Sequence, residues 1–335
     1  MIEKVKVGEN NILNQQYRGR LTEGITYNPS NNTILWVDII KGEVHRLWLG
    51  TEDKHEMLKF EDAKESIGAI GLTSNDNVII ICGKYGVAEG NFIDKTIKYF
   101  LRYNHDDKQQ RRLRSNDGAI DPWGHLWVGV MTDFDTSAAE GQVSAEGRLY
   151  RINCHDLTIE TMVDGTFISN GLSFTGDGKA LYWTDSLTHT IWQYDYSYIT
   201  NTLSNKRPFV EVSKVFGVPG GVAPSATKPE PDGLALTRDN EVFSAMFHTG
   251  KVLRFDSRGQ CTHEYELPAA RITSVTVGGK NSDVLFVTTG HPALERPEAT
   301  IDPTDKSGDL GGFIFALSLP EPINVLNKSI WGRKV

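Results

Sequence analysis

One pattern recurs six times along the 335 residues, and a chain built from such copies has few ways to fold. Each copy is a small or polar residue, a glycine, an apolar residue, a turn rich in Asn, Asp, Gly or Pro, and then a β-branched and aromatic run. It reads EGITYNPSNNTILWVD from Glu23, IGLTSNDNVIIICG from Ile70 and NDGAIDPWGHLWVGV from Asn116. It returns as NGLSFTGDGKALYWTD from Asn170 and DGLALTRDNEVFSAM from Asp232, and more loosely as TSVTVGGKNSDVLFVTTG from Thr273. The glycines at 24, 71, 118, 171 and 233 are 47, 47, 53 and 62 residues apart, and the sixth copy follows 41 residues later. Turn residues between two β-rich runs make each copy a hairpin. A third strand follows most of them, as in GEVHRLWL, GRLYRI, TIWQYDY, KVLRF and GGFIFAL. Units of three or four strands at this period predict an all-β, six-bladed β-propeller. No Trp-Asp dipeptide closes a blade, as a seven-bladed WD40 would require. No linker divides the chain, so residues 1–335 are read as a single domain, with the strand near VKVGE completing the last blade.

Composition narrows the partners. Charged residues are 23% and the 32 glycines exceed the usual share of about 7%, which suits tight turns and excludes disorder and coiled coil. The net charge of -8 repels nucleic acid and anionic lipid. The only basic run, Arg111, Arg112 and Arg114, is too short for a binding stripe. Three cysteines, Cys82, Cys154 and Cys261, without CxxC spacing exclude a disulfide framework or zinc ribbon, and Cys82 and Cys154 read as buried thiols. Residues 1–10 lack a targeting pattern, and no run approaches the ~18 apolar residues of a membrane span. The expectation is a cytoplasmic protein, monomer or weak homodimer, with no nucleic-acid or membrane partner.

The residue before each key glycine occupies an equivalent place in every blade, at the end of the channel where the chain enters the inner strands. Four copies carry Glu23, Asp117, Asn170 and Asp232 there. A single such residue is an ordinary turn former. Four at one repeat position point to a shared role. Three carboxyl groups converging on one axis would repel, and a divalent cation relieves this, because hard cations take carboxylate and amide oxygens. The set holds no His or Cys, so calcium is the first choice of metal, with magnesium, manganese or zinc as alternatives. The long connections 132–146 and 290–311, and the loop 213–231 before Asp232, fall on the same face and look like a substrate lid.

These segments resemble the SMP-30/gluconolactonase/LRE-like family, which includes regucalcin and sugar lactonases. The most specific stretch is RSNDGAIDPWGHLWVGVM, similar to the family's R-x-N-D-G-x-x-D-x-x-G-x-x-W-x-G-x-M. SNGLSFTGDGKALYWTDS resembles its P-N-G-L segment, with Ser169 in place of proline, and EPDGLALTRDNEVF resembles its P-D-G segment. The resemblance runs from about Glu23 to Leu317. It implies a six-bladed propeller with one channel metal held by Glu23, Asn170 and Asp232. It also implies that Arg114 and Asn116 bind the substrate's carbonyl and hydroxyl groups, with Asp117 orienting them. The acidic pair that some relatives carry after a GTM-like segment is reduced here to Asp133, which the resemblance makes a substrate contact. The 290–311 loop has its own sequence, so substrate choice does not carry over.

The expected function is metal-dependent opening of a sugar-acid lactone, such as an L-rhamnono-, L-arabinono- or D-glucono-lactone, to the aldonic acid. Asp232 is the expected proton acceptor for the attacking water. A non-catalytic calcium-binding propeller and a phosphotriesterase-like hydrolase at the same site are the alternatives; a metal-free, strictosidine-synthase-like propeller is disfavoured by the Glu23/Asn170/Asp232 set. No G-x-S-x-G elbow or HExxH motif offers a rival centre. His125 reads as structural, His248 and His291 as residues able to reach the pocket, and Asp38 and Asp185 as turn caps.

Overall fold

A computed structural model of the chain describes residues 2–50, 54–62, 65–220, 229–296 and 298–333. Six antiparallel sheets follow one another along the chain as the blades of a propeller. Their inner strands are Thr22–Asn28, Ile67–Leu72, Leu113–Ile120, Ser169–Phe174, Glu230–Leu236 and Arg271–Gly278. Blades 1 to 4 have four strands each, and blade 6 has three. Blade 5 has a fifth, because Glu3–Lys6 pairs in parallel with its outer strand Cys261–Glu266. The N-terminal strand therefore extends blade 5, not the last blade as expected. The chain behind it reaches blade 6, where Ile12 bridges Phe315, and then Leu21 bridges Gly290. The first 21 residues thus stitch blades 5, 6 and 1 together and close the ring.

Burial follows the distance from the axis. The second strand of blade 2, VIIICG, is buried on both faces, whereas its outer strand Thr96–Arg102 alternates toward solvent. The apolar core is six separate clusters, one at each interface between neighbouring blades. Blades 1 and 2 meet through Leu35, Val37, Ile79 and Ile81, and blades 3 and 4 through Trp127, Leu149, Leu181 and Trp183. Ring closure between blades 6 and 1 uses Ile25, Trp36, Phe286 and Ile314. No blade can bury its apolar faces without both neighbours. All three cysteines are free, with Cys82 and Cys154 buried. No helix among the described residues is long and apolar enough to cross a membrane.

The two long connections differ in how they are held. Residues 133–146 include a helix, Phe134–Glu140, capped by the Asp133 carboxylate. The other connection is tied down by two buried guanidinium groups from the N-terminal segment. Arg18 donates to the carbonyls of Gly311, Asp305 and Asp309 at 2.8, 2.9 and 2.7 Å. Arg20 donates to those of Ala293, Arg296 and Ala299 at 2.9, 2.8 and 2.7 Å. Six carbonyls of an irregular loop thereby gain partners that neither helix nor sheet could supply. This connection is a fastened strap and not the free lid that its length suggested. Residues 221–228 of the loop before Asp232 lie outside the described residues.

A segment with no place in the repeat also shapes the molecule. Leu319–Gly332 crosses the face opposite the long connections. Leu319 and Ile323 donate to carbonyls of blade 6, and Arg238 of blade 5 donates to Asn324. Beyond the axis, Trp331 donates to Leu72 of blade 2 and Gly332 to Gly124 of blade 3. A cavity of about 250 Å³ is enclosed between this tail and blades 3 to 6.

Arg20→Ala removes the donors from three loop carbonyls, and each unsatisfied buried group costs about 1–3 kcal/mol. The variant should lose about 3 kcal/mol in urea denaturation, and limited proteolysis should cut first within 291–311. An unchanged midpoint and digestion pattern would show that the clamp holds nothing.

Candidate functional site

The inner strands do not run evenly. In every blade the register between inner and second strand slips at the polar position: after Glu23, after Ile67, after Ser115, after Ser169, after Pro231 and after Ile272. A bulge of this kind bends the strand and re-aims its side chains. Here it places Asn116, Asp117, Asn170 and Asp232 within the irregular steps. In blade 2 the slip falls at Gly68, so Gly68 and not Gly71 is the counterpart of Gly24, and the residue before it is the apolar Ile67.

Neighbouring inner strands touch backbone to backbone beside these bulges. A Cβ on Gly171 would lie 2.5 Å from both the Asp232 carbonyl oxygen and the Leu234 nitrogen. One on Gly68 would lie 2.1 Å from the Asn116 carbonyl oxygen. Both distances are below any real Cβ contact. Glycine is what lets the polar residues of adjacent blades converge.

Glu23, Asn170 and Asp232 come together, all buried. The Asp232 carboxyl lies close enough to the Glu23 carboxyl and the Asn170 amide for each to act on its charge. Glu23 accepts the Gly24 N–H at 2.9 Å, and Asn170 donates to Ser186 Oγ at 3.2 Å. Asn170 Oδ1 and Asp232 Oδ1 are buried without a protein partner. Burial, reinforced by Asp117, pushes the Glu23 carboxyl up to about 8. Burial, together with Glu23, Asp117 and Glu230, raises Asp232 well above the carboxylate range. Orphaned oxygens facing mutually repelling carboxyl groups fit a hard divalent cation, for which Glu23, Asn170 and Asp232 are the donors.

Arg114 and Asn116 form one unit beside this cluster. Arg114 donates to Asn116 Oδ1 at 2.8 Å, to the Ser115 carbonyl at 2.9 Å and to Met131 Sδ at 3.1 Å. Its guanidinium stacks over Phe134 at 4.1 Å, and Asn116 donates to the Ser169 carbonyl at 3.0 Å. Burial lowers Arg114 to about 10, opposed by Asp133, Glu23 and Asp232. Asp133 Oδ1 lies 3.9 Å from Arg114 Nε, while its other oxygen is ion-paired with Lys84. Asp117 lies on the far side of the cluster, lining a small void with Lys328 of the tail.

The histidines stand apart. His291 Nδ1 accepts the Ala293 N–H at 3.0 Å, and His248 packs edge-on against Phe247. His125 Nδ1 accepts the Cys154 N–H at 3.1 Å. His125, Cys154 and His155 bring ligating atoms within 4.8 Å of one another; the hydrogen bond takes Nδ1 of His125, its Nε2 is buried without a partner, and His155 is exposed. Asp38 and Asp185 are caps as expected. Asp38 accepts the N–H groups of Arg20 and Leu21 at 2.7 and 3.3 Å, and Asp185 those of Phe167 and Ile168 at 3.2 and 2.9 Å. Each fixes the chain just before it enters the inner strand of its own blade.

Lys84 and Glu230 escaped the sequence reading. Lys84 follows the second strand of blade 2, where its N–H donates to Ser66 beside the inner strand. That is one residue past the place Asp38 and Asp185 hold in blades 1 and 4, which in blade 2 falls to Gly83, so the repeat did not mark Lys84. Glu230, two residues before Asp232, is pushed up to about 7 by burial.

The fold and the site together define a six-bladed β-propeller with a cluster of oxygen donors in its channel beside an Arg–Asn pair. The chain belongs to the family described as the SMP-30/Gluconolactonase/LRE-like region, which matches residues 21–291. It is 46% identical to the cell growth-regulated gene 1 protein of Candida albicans, over 98% of this chain and 99% of that protein. It is 27% identical to the pentonolactonase XacC of Haloferax volcanii, over 90% and 91%. Among solved structures, a calcium-binding protein, regucalcin, from Agrobacterium tumefaciens shares the fold with a TM-score of 0.79 at 19% identity, covering 99% of both chains.

The raised Glu23 carboxyl has a consequence for stability. A folded value near 8 against an ordinary 4.5 means that the folded chain holds the proton more tightly. The associated stability is fully present below 4.5 and is lost as pH rises through 8. In excess chelator the melting temperature should therefore fall across that interval, and Glu23→Gln should flatten the decline. A Glu23→Gln variant less stable than the parent at pH 8 in chelator would contradict mutual repulsion at the axis.

Proposed function

We propose that the chain is a cation-dependent hydrolase that opens a sugar-acid lactone, an aldono-1,4- or 1,5-lactone, to the aldonic acid. The observation that carries this reading is the pair of buried, unpartnered oxygens on Asn170 and Asp232, set beside Glu23 and next to the Arg114–Asn116 unit. The names of the lactonase relatives support the same reaction class. A divalent cation on Glu23, Asn170 and Asp232 would polarise the lactone carbonyl and lower the pKa of a bound water. Calcium suits an all-oxygen set, and magnesium, manganese or zinc would serve the same purpose.

Asp232 would hold the cation through one carboxylate oxygen and take the proton of the attacking water on the other; that proton then passes to the ring oxygen as its bond to the acyl carbon breaks. Arg114 carries the fixed positive charge nearest the cluster and steadies the oxyanion that develops at the carbonyl. Asn116 is held by Arg114 and by the Ser169 carbonyl, so its amide is pre-set to orient ring hydroxyls. Asp133, steadied by Lys84, takes a further hydroxyl. A wall of Arg, Asn and Asp favours a polyhydroxylated substrate over an apolar phosphotriester.

The test is proton release from a panel of aldonolactones by chelator-stripped protein, with and without added Ca²⁺, Mg²⁺, Mn²⁺ or Zn²⁺. Cation-dependent turnover of one lactone is expected. Asp232→Ala should lower kcat by about 10³ or more, and Asn116→Ala should lower kcat/KM about tenfold. Binding of a cation without turnover of any lactone would replace this reading with that of a cation-binding propeller. Equal losses in the two variants, at unchanged metal content, would overturn the division of roles.

A further inference from the structure

The channel does not end at the carboxylate cluster. Beyond it, toward the face crossed by the tail, the inner strands of blades 1, 2, 3, 5 and 6 enclose a void of about 20 Å³, roughly the size of one water or one small ion. Its lining is glycine, alanine, isoleucine and leucine, with Thr26 and three residues bearing hydroxyl or amino groups from blade 6 and the tail: Ser274, Lys328 and Ser329. Among all the residues that line it, Asp117 and Lys328 alone carry charge. The strand register makes Asn116, not Asp117 as the sequence suggested, the counterpart of Asn170 and Asp232; Asp117 lies one step further along, and one of its oxygens accepts the Gly118 N–H at 2.7 Å. A carboxylate in such surroundings needs a counter-charge. It comes from a segment that belongs to no blade. The tail is pinned to blades 5 and 6 before Lys328 and to blades 2 and 3 after it, which sets the lysine stem over the axis.

We infer that Lys328 is the built-in counter-ion of the channel, set across this void from Asp117 where a second metal ion would otherwise sit. The lower end of the channel is thereby closed to free cations, and the exchangeable position is left to Glu23, Asn170 and Asp232. That second half rests on the cation site proposed above; the pairing of Lys328 with Asp117 does not. A lysine ammonium is suited to this place, being a compact point charge on a flexible stem. The Asp117 carboxylate is in this view a partner of the tail and not a contact for substrate.

The experiment counts cations bound to chelator-stripped protein, by calorimetry with Ca²⁺ and by the paramagnetic signal of free Mn²⁺, and compares the parent with three variants. Lys328→Met keeps the length of the side chain and removes the charge; it should bind one cation more per chain than the parent. Lys328→Arg, and Asp117→Asn combined with Lys328→Met, should return to the parental number. An unchanged count in Lys328→Met overturns the inference. The parental count reads the upper site independently: none in the parent and one in Lys328→Met would keep this inference and refute that site.

Thermal melts in chelator supply the second measurement. Lys328→Met should melt several degrees below the parent, and the double variant should recover most of the loss. Additive losses would mean that the tail matters through packing alone and would overturn the pairing. If Lys328→Met does not fold, recovery of a folded protein in the double variant supports the pairing, and failure of both variants refutes it.

Discussion

The structure depends on the close approach of adjacent inner strands around the axis. Where Gly68 faces Asn116, and Gly171 faces Asp232 and Leu234, there is no room for a methyl group. That contact draws the polar residues of blades 1, 3, 4 and 5 into one small volume. It also creates the central electrostatic problem, because the buried Glu23 and Asp232 carboxyl groups and the half-buried Asp117 act on one another. Buried carboxyl groups so arranged must hold protons, pair with fixed cations or bind a metal. The molecule supplies fixed cations at the flanks, Arg114 on the side of the long connections and Lys328 on the side of the tail, and leaves a gap at Asn170 and Asp232.

The rest of the face is organised to keep that gap rigid. Asp38 and Asp185 cap the chain just before the inner strands of blades 1 and 4. Lys84, one residue past the corresponding place in blade 2, pairs with Asp133, which in turn caps the helix that carries Phe134 under the Arg114 guanidinium. The strap of residues 290–311 belongs to the same scheme. Two guanidinium groups hold its carbonyls, so the wall beside blades 6 and 1 is set before any substrate arrives. Pre-set walls favour catalysis by orientation over catalysis by closure.

Much of this was legible because repetition converts position into geometry. Once the hairpin copies are aligned, a residue before a glycine in one blade predicts the place of its counterparts, and Glu23, Asn170 and Asp232 were found in that way. The alignment failed where the signal was weak. In blade 2 two glycines, Gly68 and Gly71, lie three residues apart in an apolar run, and only the slip in strand register shows which of them lies at the bulge. The N-terminal strand was expected on blade 6 because propellers close on their last blade. Its residues Glu3–Lys6 instead pair with blade 5, and closure passes to the bridges at Ile12 and Leu21 and to the apolar cluster that holds Trp36, Phe286 and Ile314.

The sequence by itself determined the number of blades, the hairpin in each, the all-oxygen character of the channel cluster and the family. Those properties are written in local patterns: strand periodicity, turn residues and the identity of a residue at a fixed offset. The tertiary structure alone decided the partners of the charges. Arg18 and Arg20 meet their carbonyls some 270 to 290 residues away along the chain, Lys84 of blade 2 meets Asp133 of blade 3, and a tail outside the repeat brings Lys328 to the void that Asp117 lines. Such pairings depend on how far each segment travels before it returns to the axis. A repeat pattern carries no record of that path.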